Sequence, residues 1–88
     1  MNILDSIGQY LGYLAGLLTT IAFIPQVLKV WKTKSTEDIS IWMFLIFTTG
    51  VFLWLIYGLL IKNNSIIVAN AITFLLSLMI LIAIIRFK

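Results

Sequence analysis

Phe23-Ile24-Pro25-Gln26-Val27-Leu28-Lys29, running on into the polar segment Trp31-Lys32-Thr33-Lys34-Ser35-Thr36-Glu37-Asp38, marks where a long apolar stretch gives way to water. Residues 7–29 lead up to this boundary almost without a charge. Beyond it lie two further apolar stretches, 40–61 and 65–85, which meet at Lys62-Asn63-Asn64-Ser65. A helix rises about 1.5 Å per residue and a bilayer core is about 30 Å thick, so each stretch is long enough to span. The chain is 62% hydrophobic and 10% charged, with a mean hydropathy of +1.17. No water-soluble domain of this size carries that balance. The predicted fold is all-α and integral to a membrane, a single triple-helix bundle over residues 1–88.

The charges orient the bundle. Lys29, Lys32 and Lys34 follow the first span and Arg86 and Lys88 follow the third, whereas the other side holds only Lys62 and Asp5 besides the terminal amine. Basic residues beside short loops stay in the cytoplasm, which predicts an outside N-terminus and a cytoplasmic C-terminus. The net charge of +3 is explained by this asymmetry and gives no sign of nucleic-acid binding. The first stretch follows Asp5 instead of a basic region and is too long for a signal peptide, so it is read as a spanning helix. With no cysteine or histidine in the sequence, disulfides, thiolate chemistry and the usual zinc sites are excluded from the chain itself.

Within the spans, the informative residues are few. Gly8, Gly12 and Gly16 recur every four positions, a stripe that lets another helix approach closely. Pro25 removes a backbone hydrogen bond near the inner end and predicts a bend or hinge. Ser35 and Asp38 have the spacing of a capping box for the second helix, and Trp31 and Trp42 flank that loop as interfacial anchors. In the second span Gly50, Trp54 and Gly58 are again four apart. The short turn at Lys62-Asn63-Asn64-Ser65 makes the second and third helices antiparallel neighbours. Asn70, Thr73 and Ser77 fall on one face of the third.

No Asp, Glu, His, Lys or Arg lies in the inner parts of the spans. An enzyme generally needs a titratable group, nucleophile or metal, and proton-coupled carriers depend on intramembrane ionisable groups. The chain is therefore expected to be neither, and to need no cofactor. What remains suits an uncharged, hydroxyl-rich solute, with aromatic faces against its C–H surface and amides exchanging hydrogen bonds with its hydroxyls. Trp54 and Asn70 both lie roughly 8–11 Å below the outer surface, at depths that allow one shared cavity. Two other readings stand beside this one. Asn70, Thr73 and Ser77 have the chemistry to bond across helices with no ligand involved. The bundle also fits an assembly subunit or a holin-like lesion former, although a holin would be expected to carry a longer, charged tail.

Phe23-Ile24-Pro25-Gln26 with the Lys34-Ser35-Thr36 loop resembles the proline–glutamine motif of PQ-loop membrane proteins. Trp54-x-x-Tyr57-Gly58, with Asn70 sixteen positions after the Trp, narrows the resemblance to the SemiSWEET bacterial sugar transporters, and it covers essentially the whole chain. The resemblance implies two parallel copies forming a six-helix carrier of neutral mono- or disaccharides of the glucose or sucrose class, in the bacterial inner membrane. It further implies a substrate pocket lined by Trp54 and Asn70 of each copy, a hinge at Pro25 and Gln26, and an outer gate at Tyr57. Many relatives place an acidic residue six positions after that Tyr. Here Asn63 stands there, and a neutral hydrogen bond would replace a charged latch. Met43 and Phe47 are the inner-gate candidates. PQ-loop proteins as a wider group are not confined to sugars, which keeps an amino-acid carrier as the nearest alternative.

Overall fold

The computed structural model describes residues 2–87. Three helices follow in order, α1 (Ile3–Thr33), α2 (Ile41–Leu60) and α3 (Asn64–Phe87), all long and apolar enough to cross a membrane. The helix α1 extends beyond the predicted 7–29 by about a turn at each end. At its start the Asn2 side chain accepts a hydrogen bond from the Asp5 amide at 2.8 Å. At its end Lys34 turns left-handed, with φ 56°, and its amide closes onto the Val30 carbonyl.

The last helix in sequence is the middle one in space. The helix α3 packs against both α1 and α2, whereas no close backbone approach joins α1 to α2 among the described residues. Burial follows that order. Six residues of α3 are buried, Ser65, Ser77, Ile80, Leu81, Ala83 and Ile84, against only Val27 and Val30 of α1. The end of the bundle beside the α1–α2 loop is sealed by an apolar cluster of Val27, Ile80, Leu81 and Ile84, onto which Phe23, Phe44 and Trp31 pack. Trp31 does not simply float at the interface as an anchor. Its indole N–H donates to the Met79 carbonyl at 3.1 Å, and its ring meets Phe87 edge-on, which ties the end of α1 to α3.

The half nearer the α2–α3 turn is held by close approach of small residues. A Cβ on Gly12 would lie 2.8 Å from the Ser65 Cβ, and one on Gly16 would lie 2.7 Å from the Ala69 Cβ. Both are nearer than non-bonded carbons sit at their optimum of about 3.5–4.0 Å. Gly58 plays the same part between α2 and α3, facing Ile66. Gly8 and Gly50 face open space, so the stripe read from sequence is a packing face over only part of its length. Between α2 and α3 the buried hydroxyls of Thr48 and Ser77 bond to one another. That removes Ser77 from the polar face expected to unite it with Asn70 and Thr73.

The loop ends differ from the expected pattern in one respect. Ser40 is the N-cap of α2, its hydroxyl accepting from the Met43 amide at 3.3 Å, and Ser35 with Asp38 form no capping box. The reason is apolar. Ile39 precedes this cap and Phe44 lies one turn beyond it, and both pack on the core cluster, as in a hydrophobic staple. At the other turn, the amides of Lys62 and Asn63 bond back to the carbonyls of Leu59 and Gly58, which is a Schellman termination. Asn63 then accepts from the Ile66 amide at 3.2 Å and so starts α3. These two motifs fold α2 and α3 into an antiparallel hairpin. Lys62 occupies the left-handed position at φ 57°, where a side chain costs about 1–2 kcal/mol. Lys62→Gly is therefore expected to raise unfolding stability by up to about 1 kcal/mol, after allowing for glycine's larger unfolded-state entropy. Denaturant unfolding in detergent checks this.

Candidate functional site

Because α3 holds the other two helices apart, a groove of about 630 Å³ opens between α1 and α2, with α3 as its floor. Its α1 wall is made of the small residues Gly12, Ala15, Gly16, Thr19 and Ala22. The spacing that lets α3 approach thus also leaves room beside it. On the floor lie Asn70 and Thr73. The Asn70 Nδ2 donates to the Ile66 carbonyl at 2.9 Å and the Thr73 hydroxyl to the Ala69 carbonyl at 2.9 Å. On the wall, the Thr19 hydroxyl donates to the Gly16 carbonyl at 3.0 Å. Each hydroxyl keeps lone pairs, and Asn70 keeps its carboxamide oxygen and one N–H. The groove therefore presents mainly acceptors, suited to a ligand rich in donors, and none of the residues lining it is ionisable.

Trp54 does not line this groove. The face of α2 against α3 carries Thr48, Val51 and Gly58, and Trp54 projects aside, 56% exposed, in a shallow recess with Leu53 and Tyr57. Its ring meets Tyr57 edge-on at 5.4 Å. Within one chain, Trp54 and Asn70 thus occupy different surfaces, although they lie at similar depth. Asn63 accepts from both the Ser65 hydroxyl at 2.8 Å and the Ile66 amide, which leaves its NH₂ without a hydrogen bond among the described residues.

At the end nearer the α1–α2 loop, Phe47 and Phe23 line the groove. Phe23 stacks on Phe47 at 6.1 Å, and Phe44 meets both rings edge-on, at 6.2 Å from Phe23 and 6.0 Å from Phe47. Phe44 carries no sequence signal that separates it from other apolar residues, and Phe23 enters only as the start of the proline–glutamine motif. Only the distance across from α1 to α2 brings them together. Met43 stands outside the trio, 69% exposed. Pro25 and Gln26 follow directly below Phe23 on α1, which stays helical through them. Gln26 lines both the groove and a smaller cavity below it.

The PQ loop repeat matches residues 7–67, more than half of the chain. The chain belongs to the PQ-loop family. Within this family, it is 51% identical over 63 residues to the sugar transporter SemiSWEET of Leptospira biflexa, covering 72% of this chain and 74% of that protein. It is 48% identical over 69 residues to the sugar transporter SemiSWEET of Bradyrhizobium diazoefficiens, covering 78% and 80%. Among solved structures, a bacterial homologue of SWEET transporters superposes with a TM-score of 0.86 at 43% identity, over 93% of this chain and 99% of that one. The three-helix order of this PQ-loop protein is thus shared with that solved SWEET homologue over 93% of its length.

Proposed function

We propose that this PQ-loop protein is a passive carrier of neutral mono- or disaccharides that works as a parallel homodimer by alternating access. The observation that carries the reading is the open, uncharged groove, which offers hydrogen-bond acceptors on one side while Trp54 lies outside it, 56% exposed. A second copy related by an axis along the membrane normal would turn two such open grooves toward each other. Asn70 and Trp54 of both copies would then enclose a single pocket. The relatives' names support sugar as the cargo, and a transporter in place of an enzyme.

The moving parts follow from the helices. Pro25 has no amide hydrogen, so the Ile21 carbonyl one turn earlier lacks its helical donor and α1 bends most readily there. Pro25 and Gln26 would be the hinge, between the part of α1 fixed by Gly12 and Gly16 and the part fixed by Trp31. Tyr57, with the Asn63 NH₂ as its neutral partner, would close the outer side. Phe47 would close the inner side together with Phe23 and Phe44, and Met43 would reach the trio of the second copy. The protein would reside in the bacterial inner membrane with its N-terminus outside, as its basic loop directs.

With no ionisable group in the inner parts of the spans, flux is expected to follow the sugar gradient alone. Uptake of labelled glucose or sucrose into proteoliposomes should saturate and stay within about twofold when a proton gradient is imposed or collapsed, since an intramembrane proton carrier depends on ionisable groups. A wild-type protein that exchanges no sugar, or that is stable only as a monomer, would overturn the proposal.

A further inference from the structure

We propose that each chain carries a second sugar subsite, a vestibule at the α1–α2 loop sized for one hexose ring and distinct from the pocket assigned to Trp54 and Asn70. This rests on the reading of the protein as a sugar carrier. The last two turns of α1, the loop and the first turn of α2 border a cavity of about 230 Å³ that is open on one side. Its polar lining comes from Gln26, Lys29, Ser35 and Asp38, and its apolar lining includes Phe44 and Ile80. One cation and one anion leave it without net charge. Pockets for drug-sized ligands run from about 300 to 1,000 Å³, so this one holds a single ring, with its polar side open to solvent.

The lining is held in place. The Thr33 hydroxyl donates to the Lys29 carbonyl at 2.8 Å and accepts from the Ser35 amide at 3.3 Å, which fixes the start of the loop. The Ile39 amide bonds to the Thr36 carbonyl at 3.1 Å, closing the turn that contains Asp38. In this closed arrangement of the trio, Phe44 packs against Phe23 and Phe47. Against this frame the Gln26 carboxamide, the Lys29 ammonium, the Ser35 hydroxyl and the Asp38 carboxylate make no hydrogen bond to another described side chain.

A sugar ring presents hydroxyls that both donate and accept and a C–H face that packs on an aromatic ring. Asp38 accepts, Lys29 donates, Gln26 does both, and Phe44 supplies apolar surface. Gln26 also lines the groove above, so a ring leaving the groove when the phenylalanine trio parts passes directly into the vestibule. The same cavity has the charges to hold a zwitterion. Continuity with the groove favours the transported sugar instead.

The test is equilibrium binding of labelled glucose to the full-length assembled protein carrying Trp54→Ala, which removes the central aromatic surface. Residual binding of one glucose per chain is expected, displaced by unlabelled glucose. Adding either Asp38→Ala or Lys29→Met should weaken that residual binding about tenfold or more, as for loss of a hydrogen bond to a charged group. Both residues are exposed, and circular dichroism checks that each variant is folded. Wild-type sugar transport with no residual binding in Trp54→Ala overturns the vestibule alone. Residual binding that neither added substitution changes, or that glycine or alanine displaces in place of glucose, overturns it as well. A wild type that neither binds nor carries sugar overturns the carrier reading and the vestibule together.

Discussion

Trp54→Ala and Asn70→Ala are each expected to lower sugar flux about tenfold or more while the protein stays folded and assembled. The size follows from what each group would give a bound sugar. A lost amide contact leaves ligand hydroxyls unsatisfied in a closed pocket, at about 1–3 kcal/mol, and about 1.4 kcal/mol is a factor of ten. Trp54 would lose a large apolar face as well. The folded protomer has little stake in either side chain. Trp54 is 56% exposed, and Asn70 hydrogen-bonds only within its own helix, to the Ile66 carbonyl. A fall in flux would therefore report on the pocket and not on unfolding. Trp54→Phe, which keeps an aromatic face, should retain much of the activity. The check is initial uptake rate in proteoliposomes, with size-exclusion chromatography of the same preparations.

Gly16 is the position where the smallest addition is expected to do the most structural harm. A Cβ there would sit 2.7 Å from the Ala69 Cβ, a methyl on a short side chain that cannot swing aside. The helices α1 and α3 would have to part. Forcing one extra carbon into a packed interface costs about 1–3 kcal/mol, and Gly16→Leu should exceed that range and prevent stable assembly. Gly8 lies two turns earlier on the same stripe, and nothing stands within 4 Å of its Cβ position. Gly8→Ala should be neutral or stabilising by up to about 1 kcal/mol, the ordinary gain in helix propensity. Unfolding in detergent of Gly16→Ala and Gly8→Ala compares identical chemistry at the two sites, and the predicted shifts have opposite sign.

The contrast between those glycines shows what the sequence made legible. Three spans could be read because continuous apolar runs of this length have few other uses, and the α2–α3 hairpin because the turn between them is too short for any other arrangement. Which glycines pack could not be read, since equal spacing says nothing about where a neighbouring helix crosses. Nor could the order of the helices. That α3 lies between α1 and α2 depends on the close approaches at Ser65, Ala69 and Ile66, and nothing in the sequence says which helix those residues face. The capping box at Ser35 and Asp38 had the right spacing, but burial of Ile39 and Phe44 moved the helix start to Ser40.

The candidate site divides in the same way. Asn70 and Thr73 stood out because polar groups are few in these spans, and they do line the groove. Ser77 had the same signal and is used by Thr48. The trio of Phe23, Phe44 and Phe47 is formed across two helices by apolar residues in a chain that is 62% hydrophobic, so nothing in the sequence pairs them. Gln26 was legible as half of a motif, but its position between the groove and the lower cavity became visible only once the loop was in place.

The most direct test of the central claim is counterflow. Proteoliposomes loaded with unlabelled D-glucose would be diluted into a trace of labelled D-glucose, with L-glucose loading as the control. A passive alternating-access carrier predicts a transient accumulation of label that overshoots equilibrium, requires D-glucose inside, and persists with a protonophore present. Label that only equilibrates, at the same rate whichever isomer is inside, would mean a leak or a pore and would contradict the account.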